Sequence, residues 1–244
     1  MAHQPTTTAI LQARVGSTRL PGKSVAPILG RPMLAIILER LRSSRRVNAL
    51  IVATTHLRED DLIEELARSM GVTCFRGSEN DLLDRYYQAA RQYPADTIAR
   101  LTADNPLVEG EFLDWVLQQY AQRQPAPDLL YTSSKSFPLG MSVEVFPFAV
   151  LEQLWHEDTS ATSREHVMTR AYDNPERYRA VALAWPQDYS HMRWTVDEAD
   201  DLRFVTTVFE AMGRTVFPWL EAAALVERHP EWLQINSGVV QKTV

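Results

Sequence analysis

The sequence predicts an α/β protein with a mostly parallel central sheet flanked by helices. Three observations carry that reading. Short β-branched runs alternate with helix-length amphipathic stretches through the first half. Those runs are largely apolar, as expected for strands buried on both faces. The 244 residues, 45% hydrophobic, allow one large domain or two small ones, either with a sizeable core.

The elements follow in order. Strands are predicted at Thr8–Ala13, Ala49–Thr54, Val72–Phe75 and Thr97–Leu101. A helix opens at Pro32, in a favoured first-turn position, and Met33, Ile36, Ile37 and Leu41 continue its apolar stripe. The next, Glu59–Met70, stops at Gly71, a C-cap residue, and Asp81–Tyr93 stops before Pro94. After a helix at Glu111–Tyr120 come turn formers, Gln124 to Pro127 and Ser133 to Gly140. A single domain over 1–244 with a smaller lobe inserted at about 133–190 is expected. A strand at Met141–Phe146, a helix at Phe148–Trp155 and a strand at Arg179–Trp185 fill that lobe. The chain rejoins the core at Trp194–Val196. Helices at Glu198–Met212 and Pro218–Arg228 close it, and the tail beyond Trp232 reads as mobile.

Composition narrows the function. With 25 Lys+Arg against 31 Asp+Glu the chain is acidic, and without a basic block it is not expected to bind nucleic acid. Its longest apolar run in the first half, Met33–Leu38, is far short of a membrane span. No basic-then-apolar leader is visible, and the single cysteine, Cys74, has no intrachain partner, so a cytoplasmic location is expected. Six scattered histidines and that one cysteine offer no zinc spacing. A GxSxG nucleophile elbow is absent.

The densest chemistry follows the first strand. Between Arg14 and Lys23 stand Gly16, Ser17, Thr18, Arg19 and Gly22. Small residues at the carboxyl end of a parallel strand let backbone N–H groups approach phosphate oxygens, and Arg14, Arg19 and Lys23 supply countercharge. Five residues separate Gly16 from Gly22, and Pro27 and Gly30 prevent a long helix after Lys23, so this is not a Walker P-loop. A dinucleotide GxGxxG is also absent. Lys23 lies in a loop outside the core, so its removal is expected to weaken triphosphate binding and spare the fold.

Asp104 follows the strand Thr97–Leu101, and Asp197 follows Trp194–Val196. Two acids delivered to the sheet edge suit Mg²⁺, which takes a few carboxylates plus phosphate oxygens and water. The competing readings are an Asx turn before Pro106 for Asp104 and a helix N-cap for Asp197. In the segment Phe75–Asp81, Ser78 or Asp81 can cap the following helix, and Asp81 is spaced to brace Arg85 as an i,i+4 pair.

In that order, RxGSTRLPGK, VATT, FRGSENDLLDRYYQAA, RLTADNPL and HMRWTVDEADD resemble the spore coat polysaccharide biosynthesis protein F family of cytidylyltransferase-like proteins. That family is grouped with the acylneuraminate and 3-deoxy-manno-octulosonate cytidylyltransferases. The resemblance runs from about Ile10 to Glu210. It implies a Rossmann-like fold of the nucleotide-diphospho-sugar transferase type and transfer of CMP from Mg–CTP to a small sugar-like or other anionic acceptor, with release of pyrophosphate. It implies catalytic Arg14 and Lys23, and Mg²⁺ on Asp104 and Asp197. Gln12, Ala13, Gly16, Ser17, Arg19, Thr54, Gly77, Ser78, Asp81 and Arg85 would bind nucleotide. Glu144, Arg164, His166 and Arg193 would face the acceptor. A role in cell-surface polysaccharide synthesis and a homodimer are compatible with it. A nucleotide-sugar-dependent glycosyltransferase and a non-catalytic nucleotide-binding protein are the alternatives. The first lacks an Asp-x-Asp after Thr97–Leu101, and the intact Arg14, Lys23, Asp104 and Asp197 weigh against the second.

Overall fold

The computed structural model describes residues 5–241. Its centre is β1 (Thr7–Gln12), whose alternate side chains enter two different cores. Ala9 and Leu11 face one, Ile10 the other. After β1 the chain makes a loop, a short hairpin of β2 (Pro27–Ile28) and β3 (Arg31–Pro32), and α1 (Met33–Leu41). Then β4 (Ala49–Thr55), α2 (Asp61–Ser69), β5 (Thr73–Gly77), α3 (Leu82–Gln92), β6 (Thr97–Thr102) and α4 (Gly110–Ala121) alternate as expected. The helix predicted from Glu59 begins as a single tight turn, Arg58–Asp60, before α2.

The second half extends this sheet. β7 (Leu129–Thr132), β8 (Glu144–Pro147) and β9 (Ala180–Leu183) belong to the same seven strands, in the order β5-β4-β1-β6-β8-β7-β9. Only β8 runs against its neighbours. Residues 133–190, expected as an inserted lobe, therefore give two strands to the central sheet. The strand expected at Met141–Phe146 starts instead at Glu144, where pairing with Arg100 begins. Between β8 and β9 lie α5 (Phe148–Glu157), α6 (Ala161–His166) and α7 (Thr169–Asp173); α8 (Ala199–Met212) and α9 (Trp219–Arg228) follow β9. Helices α1, α4, α8 and α9 cover one sheet face, and α3 and α5 the other.

A buried cation ties this scaffold together. Arg40 is fully buried and donates to the carbonyls of Leu107 (2.9 Å), Val108 (3.4 Å), Thr215 (2.6 Å) and Phe217 (3.2 Å). Burial pushes its pKa down to about 10, against the opposing pull of Glu109 and Glu39. The chain beyond α9 is packed as far as Asn236: residues Pro230–Gln234 form a 3-10 turn, and Asn236 is 3% exposed, which corrects the expectation of mobility there; residues 242–244 lie outside the described residues. Among the described residues no helix is long and apolar enough to cross a membrane.

Gly140 fixes the return of the chain to the sheet edge. Its φ is 114°, and a Cβ there would lie 2.4 Å from the Thr195 nitrogen and 2.7 Å from the Trp194 carbonyl carbon. The strand-like contact on either side, Trp194 N–H to Leu139 O at 2.6 Å, leaves no slack. Gly140→Ala combines overpacking with a disfavoured φ, about 3 kcal/mol together. A melting temperature lower by roughly 6–12 °C is expected, and a shift under 2 °C contradicts the close approach.

Candidate active site

Strands β1, β4, β5 and β6 deliver their carboxyl ends to one edge, and the chain leaves β1 toward β4 on one side with β6 on the other. Such a switch point opens a crevice above the sheet. The loop after β1 fills it. Gly22, at φ 75°, folds the loop back so that its N–H donates to Val15 O (3.1 Å), and Ser24 Oγ donates to Arg14 O (2.8 Å). A single 3-10 turn, Lys23–Val25, follows, and Leu29 and Gly30, both at positive φ, turn the hairpin. The long helix of a P-loop is replaced by that hairpin.

The fold brings Lys23 to both predicted metal ligands. Its Nζ lies 3.2 Å from Asp104 Oδ2 and 3.1 Å from Asp197 Oδ1, and donates to Val196 O at 2.9 Å. Arg19 reaches Asp197 Oδ1 at 3.0 Å, and Arg193 reaches Oδ2 at 3.0 Å. Burial works to raise the Asp197 pKa, but Lys23, Arg19 and Arg193 outweigh it and hold this carboxyl below its ordinary value. Asp104 takes a 2.5 Å hydrogen bond from Thr102 Oγ1. Asp197 is not the cap of α8: Asp201 accepts the Asp197 and Glu198 N–H groups at 3.0 and 3.1 Å. Asp104 follows the end of β6, whereas Trp194–Val196, expected to rejoin the sheet, forms no strand and Asp197 arrives on a loop before α8; two carboxylate oxygens from separate segments thus share one cation, which is the convergence a hard divalent ion requires.

Arg14 projects outward, with no side-chain partner among the described residues. Arg85 is 4% exposed, and burial lowers its pKa, with the nearby Arg14 adding to that effect. The two guanidinium groups give this end of the crevice its positive field. Arg85 donates to Ser78 O (3.2 Å), and its Nε has no hydrogen-bond partner among the described residues. The predicted Asp81–Arg85 pair does not form. Asp81 caps α3 through Asp84 N–H (2.8 Å) and pairs with Arg164 Nε (2.7 Å), because a capping carboxylate points at the helix end and away from the next turn.

Gln12, Ala13, Gly16, Ser17 and Gly77 lie on or beside these strand ends. Ser17 Oγ faces Leu20 N–H at 3.4 Å, within the loop. Thr54 is fully buried in β4 and offers a nucleotide no surface; the neighbouring Thr55 instead binds Asp60, which also accepts Val15 N–H (2.7 Å) and so anchors the loop.

The predicted acceptor residues separate. Arg164 is spent on Asp81 and the carbonyls of Trp155 (3.2 Å) and Asp158 (2.9 Å), joining α3, α5 and α6. Arg193 braces Asp197 and Asp201. His166 ends α6, which packs on α3. Glu144 does lie near the crevice, bound by Arg100 NH1 (2.7 Å) and the Tyr172 hydroxyl (2.7 Å). Burial disfavours the Arg100 charge, yet Glu144 holds its pKa above the ordinary value. Arg100 also reaches Gln12 Oε1 at 3.2 Å. Arg100 and Asp60 escaped the sequence reading. A charge inside the apolar run Thr97–Leu101 was a signal for the first; nothing marked the second.

Beside Gly140 and Tyr172 lies a cleft of about 350 Å³, also lined by Tyr131, Ser133, Lys135 and Ser142. It adjoins the segment that carries Asp197 through the close approach of Gly140 to Thr195.

Comparison with known proteins agrees with this architecture. The chain is 36% identical over 236 residues to an uncharacterised protein of Methanocaldococcus jannaschii, covering 96% of each. It is 31% identical over 230 residues to the spore coat polysaccharide biosynthesis protein SpsF of Bacillus subtilis, covering 91% of this chain and 94% of that one. The structure of a cytidylyltransferase from Leptospira borgpetersenii superposes with a TM-score of 0.91 at 31% identity over 99% of both chains. The cytidylyltransferase family profile matches residues 8–210, from within β1 to within α8, and so takes in every strand and both carboxylates that meet at Lys23. By that span, the chain belongs to the cytidylyltransferase family.

Proposed function

We propose that the protein transfers CMP from Mg–CTP to a small anionic, sugar-like acceptor and releases pyrophosphate. The observation that carries this reading is the meeting of Lys23 Nζ with Asp104 and Asp197 at 3.2 and 3.1 Å, above the sheet switch point. The paired carboxylates fit Mg²⁺, which when bound would neutralise phosphate charge. Asp104 and Asp197 would hold it.

The chain's own groups do the rest. The loop from Arg14 to Lys23 offers backbone N–H groups and three cations to a triphosphate. Arg14 and Lys23 offset the negative charge that grows on the leaving pyrophosphate, and the rigid loop aligns the α-phosphorus with the acceptor oxygen. A direct displacement of this kind needs no covalent enzyme intermediate. Lys135 and the hydroxyl-rich wall of the 350 Å³ cleft suit an acceptor with hydroxyls and one acidic group. SpsF bears the name of spore coat polysaccharide biosynthesis, and a related role in cell-surface polysaccharide synthesis is proposed here.

The test is pyrophosphate release from each of the four nucleoside triphosphates with Mg²⁺ and a panel of sugar acids, phosphates and phosphonates. Release with CTP and one acceptor class supports the reading; consumption of a nucleotide sugar without pyrophosphate overturns it. Binding can be read separately. At 100 times its Kd, CTP stabilises the native state by about 2.7 kcal/mol, which raises the melting temperature by roughly 5–10 °C. Equal shifts from ATP, GTP and UTP contradict the choice of base.

A further inference from the structure

Asp197 is gripped from two sides. Lys23 and Arg19 take Oδ1, and Arg193 NH2 takes Oδ2 at 3.0 Å. Arg193 is itself immobilised. Its Nε and NH2 lie 2.8 and 3.1 Å from the two oxygens of Asp201, a fully buried carboxylate. Two residues of the C-terminal segment complete the arrangement. Asn236 Nδ2 donates to Arg193 O and to Asp201 Oδ1, each at 3.0 Å. Gln241 Oε1 accepts from Arg193 NH1 at 2.6 Å. Both residues lie beyond the 8–210 span of the family profile.

The hydrogen-bond inventory shows why this segment matters. Asp201 accepts from Arg193 Nε and NH2, from Asn236 Nδ2 and from the N–H groups of Asp197 and Glu198. A carboxylate offers about four lone-pair sites, so this one is saturated and cannot turn. Arg193, caught between Asp201, Gln241 and Asp197, has its guanidinium plane fixed. That plane determines which way the Asp197 carboxylate faces.

We infer that Asn236 and Gln241 are positioning residues of the metal–phosphate site, setting Asp197 through Arg193. The inference rests on the Mg–CTP reading of that site. Groups that orient metal ligands from behind typically matter 10–100-fold for metal affinity or activity. Releasing Gln241 or Asn236 lets the guanidinium tilt and the carboxylate turn off its bearing, while the loop from Arg14 to Lys23 that meets the triphosphate stays in place.

The experiment compares wild type with Gln241→Leu, Gln241→Glu and Asn236→Ala. Mn²⁺ binding in the presence of CTP is read by electron paramagnetic resonance, and CTP binding in EDTA by calorimetry. Gln241→Leu and Asn236→Ala are expected to raise the Mn²⁺ Kd about 10-fold, with metal-free CTP affinity within about twofold of wild type. Gln241→Glu keeps the acceptor oxygen and should restore wild-type Mn²⁺ binding. Asn236 is buried and its variant could fail to fold, whereas Gln241 is exposed, so the Gln241 pair decides the matter. Unchanged Mn²⁺ affinity in Gln241→Leu overturns the inference, as does an equal loss of metal-free CTP binding. A wild-type protein that binds CTP but no Mn²⁺ removes the metal reading, and the inference with it.

Discussion

Asp197→Asn is expected to cut turnover at saturating CTP by about 10²–10³-fold. The substitution keeps size and removes the charge that Lys23, Arg19 and Arg193 share. Asp104→Asn should behave alike, and the double variant should lose far less than the product of the two losses, since both carboxylates serve one site. Activity followed across a Mg²⁺ titration decides it: wild-type rates in Asp197→Asn would mean that the carboxylate pair holds no catalytic metal. The same variant has a pH signature. Because its cations hold the Asp197 carboxyl below the ordinary carboxylate value, the stabilisation from this ion cluster is present above pH about 4. It is lost as pH falls through the depressed native pKa. Asp197→Asn should therefore be less stable than wild type near neutrality and lose less stability on acidification, measured by urea denaturation across pH.

Lys23→Ala is expected to lower kcat/KM for CTP by about 10²–10³-fold, because Lys23 is the loop cation that lies between the loop and both carboxylates. The structure also corrects the expectation that the fold is spared. Lys23 has a side chain only 15% exposed and three oxygen partners. Alanine leaves Asp104 and Asp197 facing each other with one cation fewer, a cost of about 1–2 kcal/mol. CTP should offset little of that loss, since the variant binds it weakly. Lys23→Arg retains charge but not the compact ammonium, and should recover stability better than turnover. Wild-type kinetics in Lys23→Ala would return the loop to a purely structural role.

Much of this site was legible because strand ends are. Apolar runs such as Thr8–Ala13 and Thr97–Leu101 read as buried strands, and a polar residue just after a parallel strand has one place to go, the carboxyl edge. That reasoning placed Asp104, two residues past β6, whereas Lys23 comes from the loop after β1 and Asp197 from a segment, Trp194–Val196, that forms no strand, and they meet although 81 and 174 residues separate Lys23 from its two partners. Sheet order was less legible. β8 and β9 are four residues each, and nothing local states that β8 inserts antiparallel between β6 and β7. The arginines misled for a different reason. Arg164 and Arg193 were assigned from the family resemblance, whereas their contacts are set by Asp81 and Asp201, which reach them only once α3, α6 and α8 are packed. Spacing misled at Asp81, where i,i+4 geometry suggested Arg85 and the capping position overrode it.

The 174-residue separation of Lys23 from Asp197 bears on how the enzyme comes into being. Synthesis is vectorial, so the basic loop leaves the ribosome with β1 long before Asp197 exists. β1 itself gains its second parallel neighbour only when Thr97 and the residues after it arrive. Until residue 197 has emerged, Lys23 and Arg19 lack the carboxylate they share in the folded chain. A chain that ends or is clipped between Asp104 and α8 would present the basic loop with Asp104 but without Asp197. Competence is thereby tied to completion of the polypeptide.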